Sequence, residues 1–433
     1  MPNFGTNDVS VINTATDTVT ATVPVGSGPI GVALTPDDSR AYVANSNANT
    51  VSVIDTSTNT VTGSPISVGS VPTVVAITPN GLRAYVTNRG DDTVSVIDTS
   101  TNTVAATITL TPGSVPTGVA ITPNGLRAYV TNQGANTVSV IDTSTNTVIG
   151  APIPVGIQPV DVAITPNGLR AYVTNATANT VSVIDTTTNT VIGAPIPVGA
   201  FPVDVAITPD GTRAYVANLG DDTVSVIDTS TNTVIGAPIP VGDEPNGVAI
   251  TPDGTRAYVS NVSDGTVSVI DTSTNTVIGA PIPVGQFPQP AAIGTITEED
   301  KTPTKLTLKA EKKKESKGKK KGLKLIAKLL TVEGEPVAGR TITFSTDSTT
   351  LCTDTTDAQG KATCEVRGKY KKDACFTATF AGDDTYLGST ATACVCSDKQ
   401  NGKDEDEGKE GRRSGQQPTT SGVRDPILMP TAA

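Results

Sequence analysis

The 433-residue chain contains no histidine and no tryptophan. That removes imidazole general bases, His-based triads and His metal cages at a stroke. Residues 1–297 lack more: they hold no lysine, no cysteine and a single glutamate, Glu244. Schiff-base lysines and thiolate nucleophiles are excluded there, and little remains around which to build an acid–base pair. These absences set the expectation that the chain binds or builds something and is not an enzyme.

Charge of one sign is also scarce. The same 297 residues carry 21 acidic side chains against seven arginines, a formal charge of −14, while the remainder carries +3, giving −11 in all. Nucleic acid is bound by neutralising phosphates with Lys and Arg, so an acidic body is a poor partner for it. No run approaches the roughly 18 apolar residues of a membrane-spanning helix. The five cysteines all fall between Cys352 and Cys396, without the paired spacing and histidine support of a zinc site. A disulfide framework, and with it an extracellular or cell-surface location, is the expected reading. Met1-Pro2-Asn3 shows neither the basic nor the apolar stretch of an export signal, and the sequence begins inside a repeat, so such a signal is expected upstream of it.

What is present is a repeat. The string Ala-Tyr-Val places tyrosines at 42, 85, 129, 172, 215 and 258, spaced by 43, 44, 43, 43 and 43 residues. A period of that length is the signature of propeller blades. Within residues 204–242, four runs alternate apolar with small polar residues, namely DVAIT, RAYVAN, TVSVIDT and TVIGAPIPVG, as half-buried strands do. Thr208-Pro209-Asp210-Gly211 joins the first two, proline presetting the turn and glycine supplying the positive φ. The VSVID strand begins at Val9, Val51, Val94, Val138, Val181, Val224 and Val267, which makes seven blades. The first copy starts near its second strand and the last stops after its first, so the two ends are expected to share one composite blade and close the ring. The prolines of Ala-Pro-Ile-Pro on the outer strand blunt the remaining edge.

Tyr85-Val86-Thr87-Asn88, repeated from Tyr129 and Tyr172, resembles the eponymous string of the YVTN-family β-propeller repeats of archaeal and bacterial surface proteins. The resemblance covers nearly all of residues 1–297 and implies a fold and an address more than an activity.

Copies differ most in two loop sets that share one face of such a disc. Between strands two and three stand Arg89-Gly90-Asp91, Gln133-Gly134-Ala135, Leu219-Gly220-Asp221 and Val262-Ser263-Asp264. Between blades, a Val-Gly-x-x-Pro pattern varies at Ile157-Gln158, Ala200-Phe201, Asp243-Glu244 and Gln286-Phe287. The candidate binding face is therefore Arg89, Asp91, Gln133, Gln158, Phe201, Asp221, Asp243, Glu244, Asp264 and Phe287. Exposed aromatics beside acidic loops suit recognition of a protein or glycan, though each phenylalanine is as readily placed over its neighbouring proline. Arg89-Gly90-Asp91 spells an integrin-type tripeptide, yet Leu219-Gly220-Asp221-Asp222 at the equivalent loop marks it as drift within a Gly-Asp-Asp repeat. No cofactor is expected; the oxygens of Asp91, Asp92, Asp221 and Asp222 would suit Ca²⁺, but without the spacing of a known calcium loop.

From Lys305 to Val395 longer alternating strands lose the period and suggest a small β-sandwich. Thr341-Ile342-Thr343-Phe344, Thr355 to Ala362 and Phe380-Ala381-Gly382-Asp383 resemble bacterial immunoglobulin-like domains, which implies a spacer role. Cys352 with Cys364 could bridge a hairpin and Cys375 with Cys394 could join the last two strands, leaving Cys396 over. Lys312 to Lys321 reads as a basic hairpin tip and residues 397–433 as a disordered tail.

The expected fold is all-β: a seven-bladed propeller of four-stranded antiparallel blades (1–297), a linker (298–304), an immunoglobulin-like sandwich (305–396) and the tail. The expected function is a surface binding or structural module with the propeller as platform. Two alternatives stand beside it. One is a metal-dependent hydrolase of the lactonase-propeller type; the other is an architectural envelope subunit that self-associates.

Overall fold

Alternation with a period of two gives each copy four antiparallel strands. A computed structural model, which describes residues 1–295, 302–312, 322–346, 349–367, 374–382 and 386–395, shows them copy by copy. One copy runs Pro159–Ile164, Arg170–Asn175, Thr180–Asp185 and an outer strand split into Thr190–Val191 and Ile196–Pro197. The outer strand is continuous in others, as at Thr147–Pro154 and Thr276–Pro283. In the turn after the innermost strand, the Thr165 hydroxyl oxygen accepts the Arg170 amide at 3.1 Å and Gly168 takes φ 73°. That left-handed conformation is open to glycine without penalty.

The chain divides into two compact units, one built on Met1–Thr304 and the other beginning at Lys305. Among the described residues the first contains seven sheets, six with these four strand positions and one of three strands, whose innermost strands touch one after another. It is a seven-bladed β-propeller.

The Tyr-Val-Thr-Asn strand explains how the blades adhere. Its two faces pack on different neighbours: Tyr129 joins Val138 and Val140 against Val162, Ala171 and Ile184 of the next blade, while Val130 packs with Tyr85 and Val94 of the previous one. The buried Tyr129 hydroxyl donates to Asn189 Oδ1 in the next blade's outer turn at 2.6 Å. Tyr42, Tyr85, Tyr172 and Tyr215 repeat the bond to Asn102, Asn146, Asn232 and Asn275. Thr131 donates to the Val160 carbonyl on the next innermost strand at 2.8 Å, and Asn132 reaches back to Ser139 Oγ at 2.9 Å within its own hairpin. Each letter of the motif thus has a partner that either braces its blade or holds the next.

The ring closes through both ends of the unit. Pro2–Asn3, Asp8–Asn13 and Thr18–Pro24 form a three-stranded sheet, and Asn3 bridges Pro288 while the Gln289 amide donates to the Pro2 carbonyl at 2.8 Å. At this junction Tyr258 donates to Asp17 Oδ1 at 2.6 Å in place of an asparagine, and Arg256 pairs with Asp17 at 3.1 Å. Burial and the hydrogen bond to Asp17 push the Tyr258 hydroxyl up to about 12.

In the second unit, Thr304–Lys312, Gly322–Thr331 and Lys361–Arg367 form one sheet; Thr349–Thr355, Thr341–Thr346, Cys375–Phe380 and Ser389–Cys394 form another. Cys375 and Cys394 face each other in register and are disulfide-bonded. Cys352 is bonded to Cys364, but not across a hairpin. The turn at Asp357–Gly360 carries the chain from one sheet to the other, so this disulfide ties the two sheets together. The basic run beyond Lys312, Cys396 and the tail lie outside the described residues.

Candidate functional site

The two variable loop sets do meet, blade by blade. The Arg89 amide donates to the Val71 carbonyl at 3.0 Å and the Gly90 amide to the Ser70 carbonyl at 2.9 Å. Most of the polar candidates are spent on this seam. Asp91 accepts the Ser70 amide, Asp221 the Ala200 amide and Asp264 the Asp243 amide at 2.9 Å. Asp92 accepts the amides of Gly113 and Val115, both at 2.7 Å, and Asp222 that of Glu244 at 2.9 Å. Arg89 donates to Gln133 Oε1 at 3.0 Å, Thr177 donates to Gln158 and Ser263 donates to Glu244. The Arg-Gly-Asp tripeptide is thus engaged at both charged ends, and the aspartates serve as caps for backbone amides.

The residue before the inter-blade proline is unusual. Val71, Val115, Gln158, Phe201, Glu244 and Phe287 all take φ between 50° and 55°. For bulky or β-branched residues this is strained, at a cost of about 1–3 kcal/mol each. It persists because both sides of the loop are held: the Phe201 amide donates to Asn179 Oδ1 of the preceding blade at 2.9 Å and its carbonyl accepts the Leu219 amide at 3.1 Å. Phe201 and Phe287 stay 41% and 49% exposed.

Deeper in, at the third position of the innermost strands, the structure supplies a pair that sequence reasoning missed. Five copies carry Gly31, Val74, Gly118, Gly247 and Pro290 here; two adjacent copies carry Asp161 and Asp204. Their carboxyl groups are hydrogen-bonded to each other, and Asp204 Oδ2 also accepts the Val248 amide at 2.6 Å. Gly118 makes room for them, since a Cβ there would lie 2.8 Å from Asp161 Oδ1. Loss of water around it, and then the neighbouring Asp204 charge, raise the Asp161 carboxyl well above the ordinary range. Burial raises Asp204 too, opposed by the hydrogen bonds it accepts from Asp161 and Val248. Both carboxyls are thus harder to ionise than a free aspartate, Asp161 the more so, and their titrations are linked. Each residue as a whole stays partly exposed while its carboxyl is closely surrounded by protein.

On neighbouring blades the inner two strands carry uncharged polar side chains. Thr117 and Thr131 hydroxyls bond each other at 2.9 Å, Asn246 donates to Gln289 Oε1 at 2.9 Å, and Ser260, in register with Gly247, has a buried hydroxyl without a partner. The strands bearing the pair begin directly after Gln158 and Phe201, and the next after Glu244, so these three candidates stand at the same end as the carboxyls. A hard divalent cation takes six or more oxygens. Two carboxyls bonded to each other, one also to a backbone amide, do not fit that need, and among the described residues no group of three His, Cys, Asp or Glu converges. Two surface grooves lie elsewhere. One of about 450 Å³ runs along Ile192–Pro197 and Thr231–Val234 at the outer strands, and one of about 270 Å³ lies on the opposite face between Thr208–Arg213 and Ser273. Neither touches the pair.

With this geometry in place, the comparisons are informative. The family described as lactonase, 7-bladed β-propeller, matches residues 2–151. Among solved structures, Kuenenia stuttgartiensis hydrazine synthase is similar at 26% identity and TM-score 0.55, over 61% of this chain and 88% of its own. A candidate 6-phosphogluconolactonase from Bacteroides uniformis is similar at 17% and 0.55, over 64% and 92%. Virginiamycin B lyase from Staphylococcus aureus is similar at 18% and 0.53, over 60% and 87%. The last two share the fold alone. No curated protein sequence matches the chain. The expectation of a protein without catalytic activity is overturned. The lactonase match over residues 2–151 points to a hydrolase, and the absence of His, Lys and Cys from the propeller misled because it left the aspartates out of account as acid–base groups.

Proposed function

We propose that the propeller hydrolyses a lactone, with Asp161 as general acid and Asp204 as general base. The hydrogen-bonded carboxyl pair in the ring of innermost strands carries this reading; the lactonase-family match, which covers residues 2–151 and ends before either aspartate, supports the reaction class alone. Two carboxyls whose surroundings separate their proton affinities are the recurring arrangement for acid–base work without a metal. Asp204 takes a proton from water as the water oxygen attacks the lactone carbonyl carbon. Asp161 gives its proton to the ring oxygen as the acyl C–O bond breaks, releasing a hydroxy acid. The bond between the carboxyls then returns the proton to Asp161.

The test is acid release from a panel of γ- and δ-lactones. Asp161→Asn and Asp204→Asn are each expected to lower kcat by about 10²–10⁴-fold, the usual worth of a positioned acid or base, with the circular dichroism spectrum unchanged. Full activity in either variant removes the assignment.

We place this activity outside the reducing cytosol, on a surface or secreted protein of the YVTN-repeat type. The two disulfides and the verbatim repeat string support that address. The second unit, with sheets of three and four strands, is read as an immunoglobulin-like spacer. Free thiols at Cys352, Cys364, Cys375 and Cys394 in protein taken from its own cells would overturn the address.

A further inference from the structure

We infer that the substrate is an uncharged lactone and not one bearing a phosphate or carboxylate, an inference that rests on the hydrolase reading above. It follows from where the propeller puts its cations. With no lysine in residues 1–297, only seven arginines could neutralise an anionic substituent. Arg40, Arg83, Arg127, Arg170, Arg213 and Arg256 each open the second strand of a blade, beside the far end of the innermost strand. The register makes this explicit: Pro159, two residues before Asp161, pairs with Asn175, while Ile164 pairs with Ala171 next to Arg170. All six guanidinium groups donate to a threonine carbonyl of the neighbouring blade's outer turn, at 2.5–3.1 Å.

That leaves Arg89, on the loop face but in another blade, bonded to Gln133. The same face carries Asp91, Asp92, Asp221, Asp222, Asp243, Glu244 and Asp264, and the whole propeller −14. A phosphate approaching the carboxyl pair would meet negative charge all the way, with no fork of donors at the end. The side chains of Thr117, Thr131, Asn246 and Gln289 on the inner two strands are uncharged and already bonded to one another or to backbone carbonyls, so they offer an anion no countercharge.

The measurement is kcat/KM of the full chain for D-glucono-δ-lactone and for its 6-phosphate, at about 10 mM and about 300 mM salt. The neutral lactone is expected to lead by at least about tenfold at low salt. Repulsion between charges is screened over a Debye length of about 30 Å at 0.01 M and well under 10 Å at the higher strength, so the gap narrows as salt is added. A phosphorylated lactone turned over as fast as the neutral one or faster, or a gap indifferent to salt, overturns the charge assignment and leaves the hydrolase standing. Hydrolysis of neither removes the lactonase reading and this inference with it.

Discussion

Asp161 and Asp204 sit where their counterparts are glycine, valine or proline, and the energetic sign of that exchange can be measured. Both carboxyls are raised in the folded protein by burial. A raised carboxyl contributes stability that is complete below its unfolded pKa and is lost as pH climbs through the folded one. The turn aspartates act oppositely: Asp142 and Asp228, for example, are held below the ordinary range by Ser144 and Ser230 hydroxyls, so their stabilisation fades as pH falls. Absolute melting curves mix the two effects, and a difference isolates one. Between pH 4 and pH 8 the melting temperature of Asp161→Asn is expected to rise relative to the unsubstituted chain, because the amide keeps a donor toward Asp204 without a proton to lose. A constant difference across that range would mean that the two carboxyls do not share a proton. One member of the pair stood in the string Asp204-Val205-Ala206-Ile207-Thr208 and the other at Asp161 of the preceding copy, but alternation fixes only which residues face each way. That the third position of one strand meets the third position of the next depends on the ring, which spans 43 residues of sequence for every such contact.

At the scale of the strand, the Tyr-Val-Thr-Asn motif shows how far a period can be read. Four strands per copy, their order and their proline–glycine turns were legible, since each rests on neighbours in sequence. The tyrosine hydroxyl was not, because its partner lies about 60 residues away in another blade. Tyr129→Phe removes that bond and leaves Asn189 Oδ1 unserved; a loss of about 1–2 kcal/mol in urea unfolding is expected, and no loss would deny the hydroxyl its bracing role. The strained residues before the inter-blade prolines were hidden for a similar reason. Nothing in Gly-Ala-Phe-Pro announces a left-handed phenylalanine, which is held by the asparagine of the preceding blade and the Leu219 amide. The Cys352–Cys364 bond was misread as a hairpin clasp because flanking a turn says nothing of whether the chain changes sheets there.

For the molecule as a whole, the partition of residue types is sharper than either unit requires. Both disulfides belong to the second unit, and residues 1–297 contain no cysteine. A small sandwich leans on such bonds for about 2–4 kcal/mol each, whereas the propeller relies on packing between blades. Scanning calorimetry with and without reductant should therefore move one transition downward and leave the other in place. A shift in the propeller's transition would contradict that independence.

The blade assembled from both ends fixes the phase of the repeat but not its count. A gene carrying near-identical copies is prone to unequal recombination, which inserts or deletes whole periods. An event that spares the terminal copies preserves the bond from the Gln289 amide to the Pro2 carbonyl, so its descendants inherit matching ends and differ only in circumference. The clasp thereby gives the lineage a ring that can be resized without redesigning how it shuts.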